Sequence, residues 1–395
     1  MTTTIDNEQK TLNVPNLRFP EFEGEWQETR LKEISKFSKE RLNSIELSCS
    51  NYVTTENMLQ DYKGIVSATN LPTNTNVVKF SKGDVLLSNI RPYLKKVWYA
   101  DRNGGCSADV FVFKALPICN SNFLHHVIAN DRFIKFVMGG AKGVKMPRGD
   151  KEQMITYKVG LPCIEEQKKI ANLLSLLDER ISTQNKIIED LKTLKSAIID
   201  YAIGSLDTNF MKFGSVYETA GEGGTPTTSN TSFYDNGKIP FIKIGDLKQK
   251  YLIGNKDFIT ELGLQKSSAW LVPTHSILFS NGATIGEITI TTYPVCTKQG
   301  ILGIVPKANI DVEFLYYFMS SSYFKKAVSR IITEGTMKTA YLRDIDNILC
   351  PIPTKEKQLK IAKVPSALNL KIDSEQSILR LLYAQKRYLL HQMFR

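Results

Sequence analysis

Cysteine is scarce in this 395-residue chain and nowhere clustered. Cys49, Cys106, Cys119, Cys163, Cys296 and Cys350 form no CxxC pair and have no histidines at zinc-finger spacing, so reduced, structural thiols are expected. Histidine is scarcer still, and His125, His126, His275 and His391 are too scattered to nominate a metal site. No run of eighteen apolar residues occurs, which excludes a membrane span. The polar start Met1 to Lys10 lacks the apolar core of a secretory signal, so the expected location is cytoplasmic.

Signatures of turnover are also missing. There is no GxxxxGK[ST]; Gly139-Gly-Ala-Lys-Gly-Val-Lys145 has glycines and lysines at the wrong spacing and no Ser or Thr. No GxGxxG follows a strand, and Asn89-Ile-Arg-Pro-Tyr93 echoes the amino-methyltransferase element only superficially. Glu166-Gln-Lys168 has the crude spacing of a nuclease site, but it falls on a long helix and reads as a solvated face. No catalytic, cofactor or metal residue is nominated, and binding is expected rather than reaction.

What is present is ordinary globular composition, 42 % hydrophobic and 23 % charged, in a chain long enough for two or three domains. Fifty-one Lys and Arg against 40 Asp and Glu leave a formal charge of +11, which favours a polyanionic partner.

The chain repeats itself. Leu161 to Gly204 aligns without a gap on Ile352 to Arg395, 191 residues on, with 12 of 44 pairs identical; Pro162/Pro353, Gln167/Gln358, Ala171/Ala362 and Lys195/Lys386 are among them. Upstream, Asp84 to Asn89 (DVLLSN) matches Ser276 to Asn281 (SILFSN) at a shift of 192. Two tandem units follow, each a mixed segment ending in a long helix.

Both helices carry the same heptad register. Ile170, Leu174, Leu177, Ile181, Ile188, Leu191 and Ile198 line one seam; Ile361, Leu368, Ile372, Leu379, Leu382 and Leu389 line the other. Polar breaks fall at equivalent places, Gln184/Glu375 and Lys195/Lys386. A narrow apolar stripe must be buried on something, and an equivalent stripe lies in the same chain. An antiparallel intramolecular coiled coil with a pseudo-twofold relation between the halves is expected, each helix about 65 Å long at 1.5 Å per residue. Pro365 interrupts the second seam, where the helix is expected to start or bend.

Elsewhere the halves read as α+β. Lys79 to Ala100 gives turn, strand, loop, strand; Asp109 to Lys114 and Gln299 to Pro306 read as buried strands; Phe123 to Met138 and Val312 to Ile332 read as helical. The division is an N-terminal arm (1–17), a first mixed domain (18–160), a central helix (161–204), a second mixed domain (205–350) and a C-terminal helix (351–395).

Basic residues mix with aromatics and hydrogen-bonding side chains in the loops. The candidates are Arg91, Tyr93, Lys95, Lys96, Lys142, Lys145 and Arg148 in the first half. Thr225, Thr227, Lys238, Lys243, Asn281, Lys298, Lys338, Tyr341 and Arg343 follow in the second. Such sets suit double-stranded DNA, where Lys and Arg neutralise phosphates and Arg, Asn or Thr read base edges.

These features together resemble the specificity (S) subunits of type I restriction-modification systems. The carrying residues are Leu161-Pro-x-x-Glu-Glu-Gln-x-Lys-Ile-Ala171 and Ile352-Pro-x-x-Glu-Lys-Gln-x-Lys-Ile-Ala362, with Asn16-Leu-Arg-Phe-Pro-Glu-Phe-x-Gly-Glu-Trp26 and Gly223-Gly-Thr-Pro226 in support. The resemblance implies two target-recognition domains that each bind half of a split DNA sequence, held apart by the helices. It implies modification (methyltransferase) subunits, two of them, docked on the helices, a motor-nuclease subunit for restriction, and S-adenosylmethionine, ATP and Mg on those partners only. Two other readings stay open: a fused restriction or methyltransferase enzyme with an unrecognised site, and a coiled-coil scaffold that binds proteins.

Overall fold

A computed structural model of the chain describes residues 13–282, 284–332 and 338–394. Two compact units emerge. The first comprises residues 1–185 and 378–395, the second residues 186–377. Each is α+β, and each is completed by stretches of both long helices.

In the first unit an antiparallel sheet runs in the order Ser35–Phe37, Val110–Ala115, Val85–Ser88, Val97–Tyr99. Side chains alternate across a strand, and here both faces are buried. Val85, Leu87, Phe111 and Phe113 face the helices Ser121–Ile128 and Asp131–Gly139. Leu86, Trp98, Val110 and Val112 face Phe80 and Cys106 of a second four-stranded sheet. The second unit repeats this: Ile277, Phe279, Leu302 and Ile304 face its helices, while Leu278 and Ile301 face Ile242 and Val295.

The duplication extends well beyond the helices. Strands Val97–Tyr99, Val110–Ala115 and Lys158–Leu161 begin 191 residues before Ile288–Thr291, Ile301–Pro306 and Leu349–Pro351. The same interval separates the helices that begin at Ser121, Asp131, Lys151 and Ile164 from those that begin at Val312, Ser322, Leu342 and Lys355.

The central helix spans Ile164–Gly204 and the C-terminal helix Lys355–Met393, each about 60 Å long at 1.5 Å per residue. They run antiparallel within each unit. In the first, Ile170 and Leu174 share a core with Leu390 and Met393, and Leu177 and Ile181 pack with Leu379, Leu382 and Leu389. In the second, Ile199 and Ile203 share a core with Ile361 and Ala362. Ile188 and Ile372 are buried, whereas Leu191, Ile198 and Leu368 are half-buried because burial passes to Ile199 and Ile203 as a straight helix drifts against a strict heptad.

The lysine breaks in the seams have a purpose. Lys386 Nζ lies 2.5 Å from Asp178 Oδ1 in the first unit, and Lys195 Nζ donates to Asn369 Oδ1 at 2.5 Å in the second. Asp178 and Asn369 are themselves equivalent, so both units make one cross-helix contact with a cation at the same place. The Lys386 ammonium is buried and the Lys195 contact half-buried, and polar contacts of this kind in a helix seam favour one register over others more than they add stability.

The helix continues unbroken through Pro365, so it does not start there. Proline inside a helix costs about 3 kcal/mol, but the next residue is held on three sides. Ser366 Oγ meets Lys250 Nζ at 2.9 Å, Tyr317 Oη at 3.1 Å and the Glu313 carboxylate.

A glutamine fastens each helix to its domain. Gln167 Oε1 accepts from Asn120 N–H at 2.8 Å, and its Nε2 donates to the carbonyls of Pro162 and Ile118 at 2.9 and 3.1 Å. Gln358 does the same with Asp311 N–H (2.8 Å) and the carbonyls of Pro353 and Asn309 (2.8 and 3.3 Å). Both side chains are buried, so truncation strands backbone groups at about 1–3 kcal/mol each. Gln358→Ala is expected to lower the urea midpoint of the second unit's unfolding by at least about 2 kcal/mol equivalent, whereas alanine at the exposed Lys357 leaves it within about 0.5 kcal/mol.

Burial pushes His125 down to about 3 and His126 well below the ordinary imidazole value, with Lys386 adding repulsion. The unfolded chain therefore takes up protons below about pH 6.5 that the folded unit cannot, and stability falls as pH drops through that value. The melting temperature is expected to be lower at pH 5 than at pH 7.5, with a narrower gap in His126→Phe. An equal gap would assign the loss to other groups.

Candidate nucleic-acid interface

In each unit an inner strand of the sheet, Val85–Ser88 or Ile277–Ser280, is followed by an asparagine, Asn89 or Asn281, and the backbone there joins two loops. Asn89 N–H donates to Asp109 O at 2.8 Å and its carbonyl accepts from Gly149 N–H at 3.3 Å. Asn281 N–H donates to Gly300 O at 3.0 Å and its carbonyl accepts from Ala340 N–H at 2.9 Å. Gly149 and Ala340, like Asp109 and Gly300, are 191 residues apart, so this junction is duplicated too.

In the first unit the junction gathers much of the candidate set. Residues 142–148 close into a hairpin, since Lys142 N–H and Arg148 N–H each donate to the other's carbonyl at 2.9 Å. Gly143 takes a φ of +96°, where an L side chain is strained. The hairpin base is tied to the neighbouring loop by Arg91 N–H to Pro147 O at 2.8 Å and by the bridge between Ile90 and Arg148. Arg91 holds a left-handed φ of +51°, and with Tyr93, Lys142, Lys145 and Arg148 it is exposed. Lys142 pairs with Asp150 at 2.7 Å and Arg148 with Asp109 at 3.4 Å. Among the described residues Arg91 and Lys145 have no ion pair.

Lys95 and Lys96 turn away from this group. Lys95 Nζ is 2.8 Å from Asp131 Oδ1, on the wall of a cleft of about 1100 Å³ between the domain and the helix pair of the same unit. Tyr62 Oη donates to the same carboxylate at 3.0 Å. Lys96 Nζ donates to Thr55 O at 2.6 Å, and burial lowers its pKa.

In the second unit Tyr341 and Arg343 are exposed beside the junction, the guanidinium 5.3 Å from the Tyr341 ring centre, and Lys338 is exposed next to them. Thr225 Oγ1 accepts from Gln299 N–H at 3.3 Å and Lys298 N–H donates to Ile242 O at 2.9 Å, which brings Thr225 and Lys298 alongside Gly300. Lys243 pairs with Asp257 at 2.7 Å. Thr227 and Lys238 are exposed nearby in the chain. Asn281 is different: it is 1 % exposed and its Nδ2 donates to Ala340 O at 3.3 Å, so its amide holds the junction together.

Sequence reasoning missed a second arrangement at the start of the central helix. Glu166 is no solvated face; it is 1 % exposed and receives a two-pronged Arg18 guanidinium, Nε and Nη2 each at 2.8 Å, with Trp26 Nε1 at 3.3 Å. That bond raises the Arg18 pKa. The Asn16 to Trp26 stretch is thus a clamp on the helix start, and Lys169 adds an ion pair to Glu21. The charge pattern of a helix cannot reveal a partner 148 residues away.

Among the described residues no group of three or more His, Cys, Asp and Glu could hold a metal ion. Cys106, Cys119 and Cys350 are buried thiols pushed up to about 12. No helix of the described residues is long and apolar enough to cross a membrane.

A doubled, basic, loop-bearing domain on paired helices is the architecture of a DNA specificity module. The type I restriction modification DNA specificity domain matches residues 23–193 and again 206–382, and the chain belongs to that family. The MjaIX specificity subunit of Methanocaldococcus jannaschii is 32 % identical over 166 residues, 40 % of this chain and 37 % of that protein. The MjaVIII specificity subunit of the same organism is 25 % identical over 398 residues, 90 % of this chain and 88 % of its own. Against MjaIX and two other curated relatives the chain spans about a third to a half of the relatives' length. A solved S subunit of a type I system from M. genitalium shares the fold, with a TM-score of 0.58 at 17 % identity over 97 % of this chain and 99 % of that one.

Alanine at Arg91 or Lys145 is expected to flatten the slope of log K against log salt for DNA binding by about one unit each. Alanine at Lys95 or Lys96 should leave the slope unchanged and lower thermal stability instead. Filter binding across a salt series, with melting curves on the same variants, separates the two groups.

Proposed function

We propose that this chain is the DNA sequence-specificity subunit of a type I restriction-modification assembly, a non-catalytic cytoplasmic protein that reads a bipartite target in double-stranded DNA. The observation that carries this reading is the duplicated junction: in each unit an asparagine comes directly after an inner strand and ties the following loop to a second, basic segment. Two readers on one pair of helices see two short sequences at a set separation, and separation along the duplex also sets rotational phase, about 34–36 Å per turn. Neither reader needs high affinity, because linkage makes the second contact intramolecular.

The helices also supply a partner surface. Leu176, Leu194, Leu370 and Leu381 are 49–71 % exposed on them, an apolar investment that a two-helix seam alone does not need. We assign this surface to methyltransferase subunits, two per chain, which with a restriction motor-nuclease subunit would hold the S-adenosylmethionine, ATP and Mg; this chain is proposed to hold no cofactor itself.

Adding one helical turn to both helices, between Leu173 and Ile199 and at the matching place in the second, is expected to change the preferred gap between half-sites while leaving both half-sequences intact. Methylation mapping of a host carrying the variant reads this directly, and an unchanged gap removes the spacer role. Methyl transfer from labelled S-adenosylmethionine by the chain alone would overturn the non-catalytic assignment.

A further inference from the structure

The segment that fails as a phosphate loop, Gly139 to Gly149, has a shape and surface of its own. It is a closed hairpin whose base is pinned twice, by the paired backbone bonds of Lys142 and Arg148 and by Arg91 N–H on Pro147 O. Pro147 is buried, so the base belongs to the domain and the tip projects. At that tip Val144 is 100 % exposed and Met146 is 48 % exposed, with the cation Lys145 between them.

Each feature limits what the tip can meet. The loop is closed at its base by a single bridge between Lys142 and Arg148, so it is narrow, and the major groove of B-DNA, about 12 Å wide, admits elements as broad as a helix or a two-stranded ribbon. Lys145 and Arg91 are exposed without an ion pair among the described residues and can reach phosphates, while Lys142 and Arg148 spend their charge on Asp150 and Asp109 and stiffen the frame. Valine and methionine side chains donate no hydrogen bond in the groove. The apolar feature that base edges offer there is the C5-methyl group of thymine.

We infer that the 142–148 hairpin is the base-reading element of the first unit, and that Val144, with Met146 beside it, reads the methyl group of a thymine in that unit's half-site. This rests on the DNA-specificity reading above and adds the chemical class of base and the residue that recognises it.

The test begins with selection of bound duplexes from a randomised library by the full chain in its assembled complex. Each thymine of the enriched sequence is then replaced singly by deoxyuridine, which pairs identically and lacks the methyl. One replacement, confined to one half-site, should weaken binding about three- to tenfold. In Val144→Ser, a change at a fully exposed position that melting curves should show to be folded, thymine and uracil duplexes should bind alike at that position. Sequence enrichment with no effect of deoxyuridine overturns the methyl contact and leaves the specificity reading standing. A uracil effect that persists unchanged in both Val144→Ser and Met146→Ser overturns the assignment to this hairpin. No enrichment of any sequence overturns the specificity reading itself.

Discussion

A glutamine amide at the start of each long helix is the constraint on which the rest of the molecule depends. Gln167 and Gln358 are buried, and each closes three hydrogen bonds with backbone that no strand or helix ladder satisfies. Because an unpaired buried amide is costly, the helix can leave its domain in one direction only. The seam lysines, the shared apolar cores and the duplicated loop junction all sit downstream of that direction.

Much of this was legible beforehand. The 191-residue repeat, the heptads and the short apolar runs in Val85–Ser88 and Val110–Ala115 are local patterns tied to the geometry of helices and strands. Lys195 and Lys386, visible only as breaks in a heptad, turn out to make one contact twice, with Asp178 supplying a carboxylate where Asn369 supplies an amide.

The rest escaped because it depends on partners far along the chain. Glu166 looks solvated until Arg18 and Trp26 arrive from far upstream in the chain. Lys95 and Lys96 look like phosphate ligands until Asp131 pairs with the first and the carbonyl of Thr55 accepts a hydrogen bond from the second, and Asn281 looks like a base reader until it is found inside the strand junction. Pro365 looks like a helix break until Ser366 is seen to be held by three side chains. Composition counts cations without saying which are already neutralised, and here that distinction separates Arg91 and Lys145 from their neighbours.

The way the two units share the chain also orders their completion. Residues 186–377 form one unbroken stretch, so the second unit has all its parts once residue 377 has left the ribosome. The first cannot stack Phe123 on Phe394, or satisfy the Arg132 guanidinium with the carbonyl of Phe394, until residues 378–394 follow. Domains commonly mature from the N-terminus during synthesis; here the unit begun first is completed after the other, and its apolar face stays uncovered until residues 378–394 have been made.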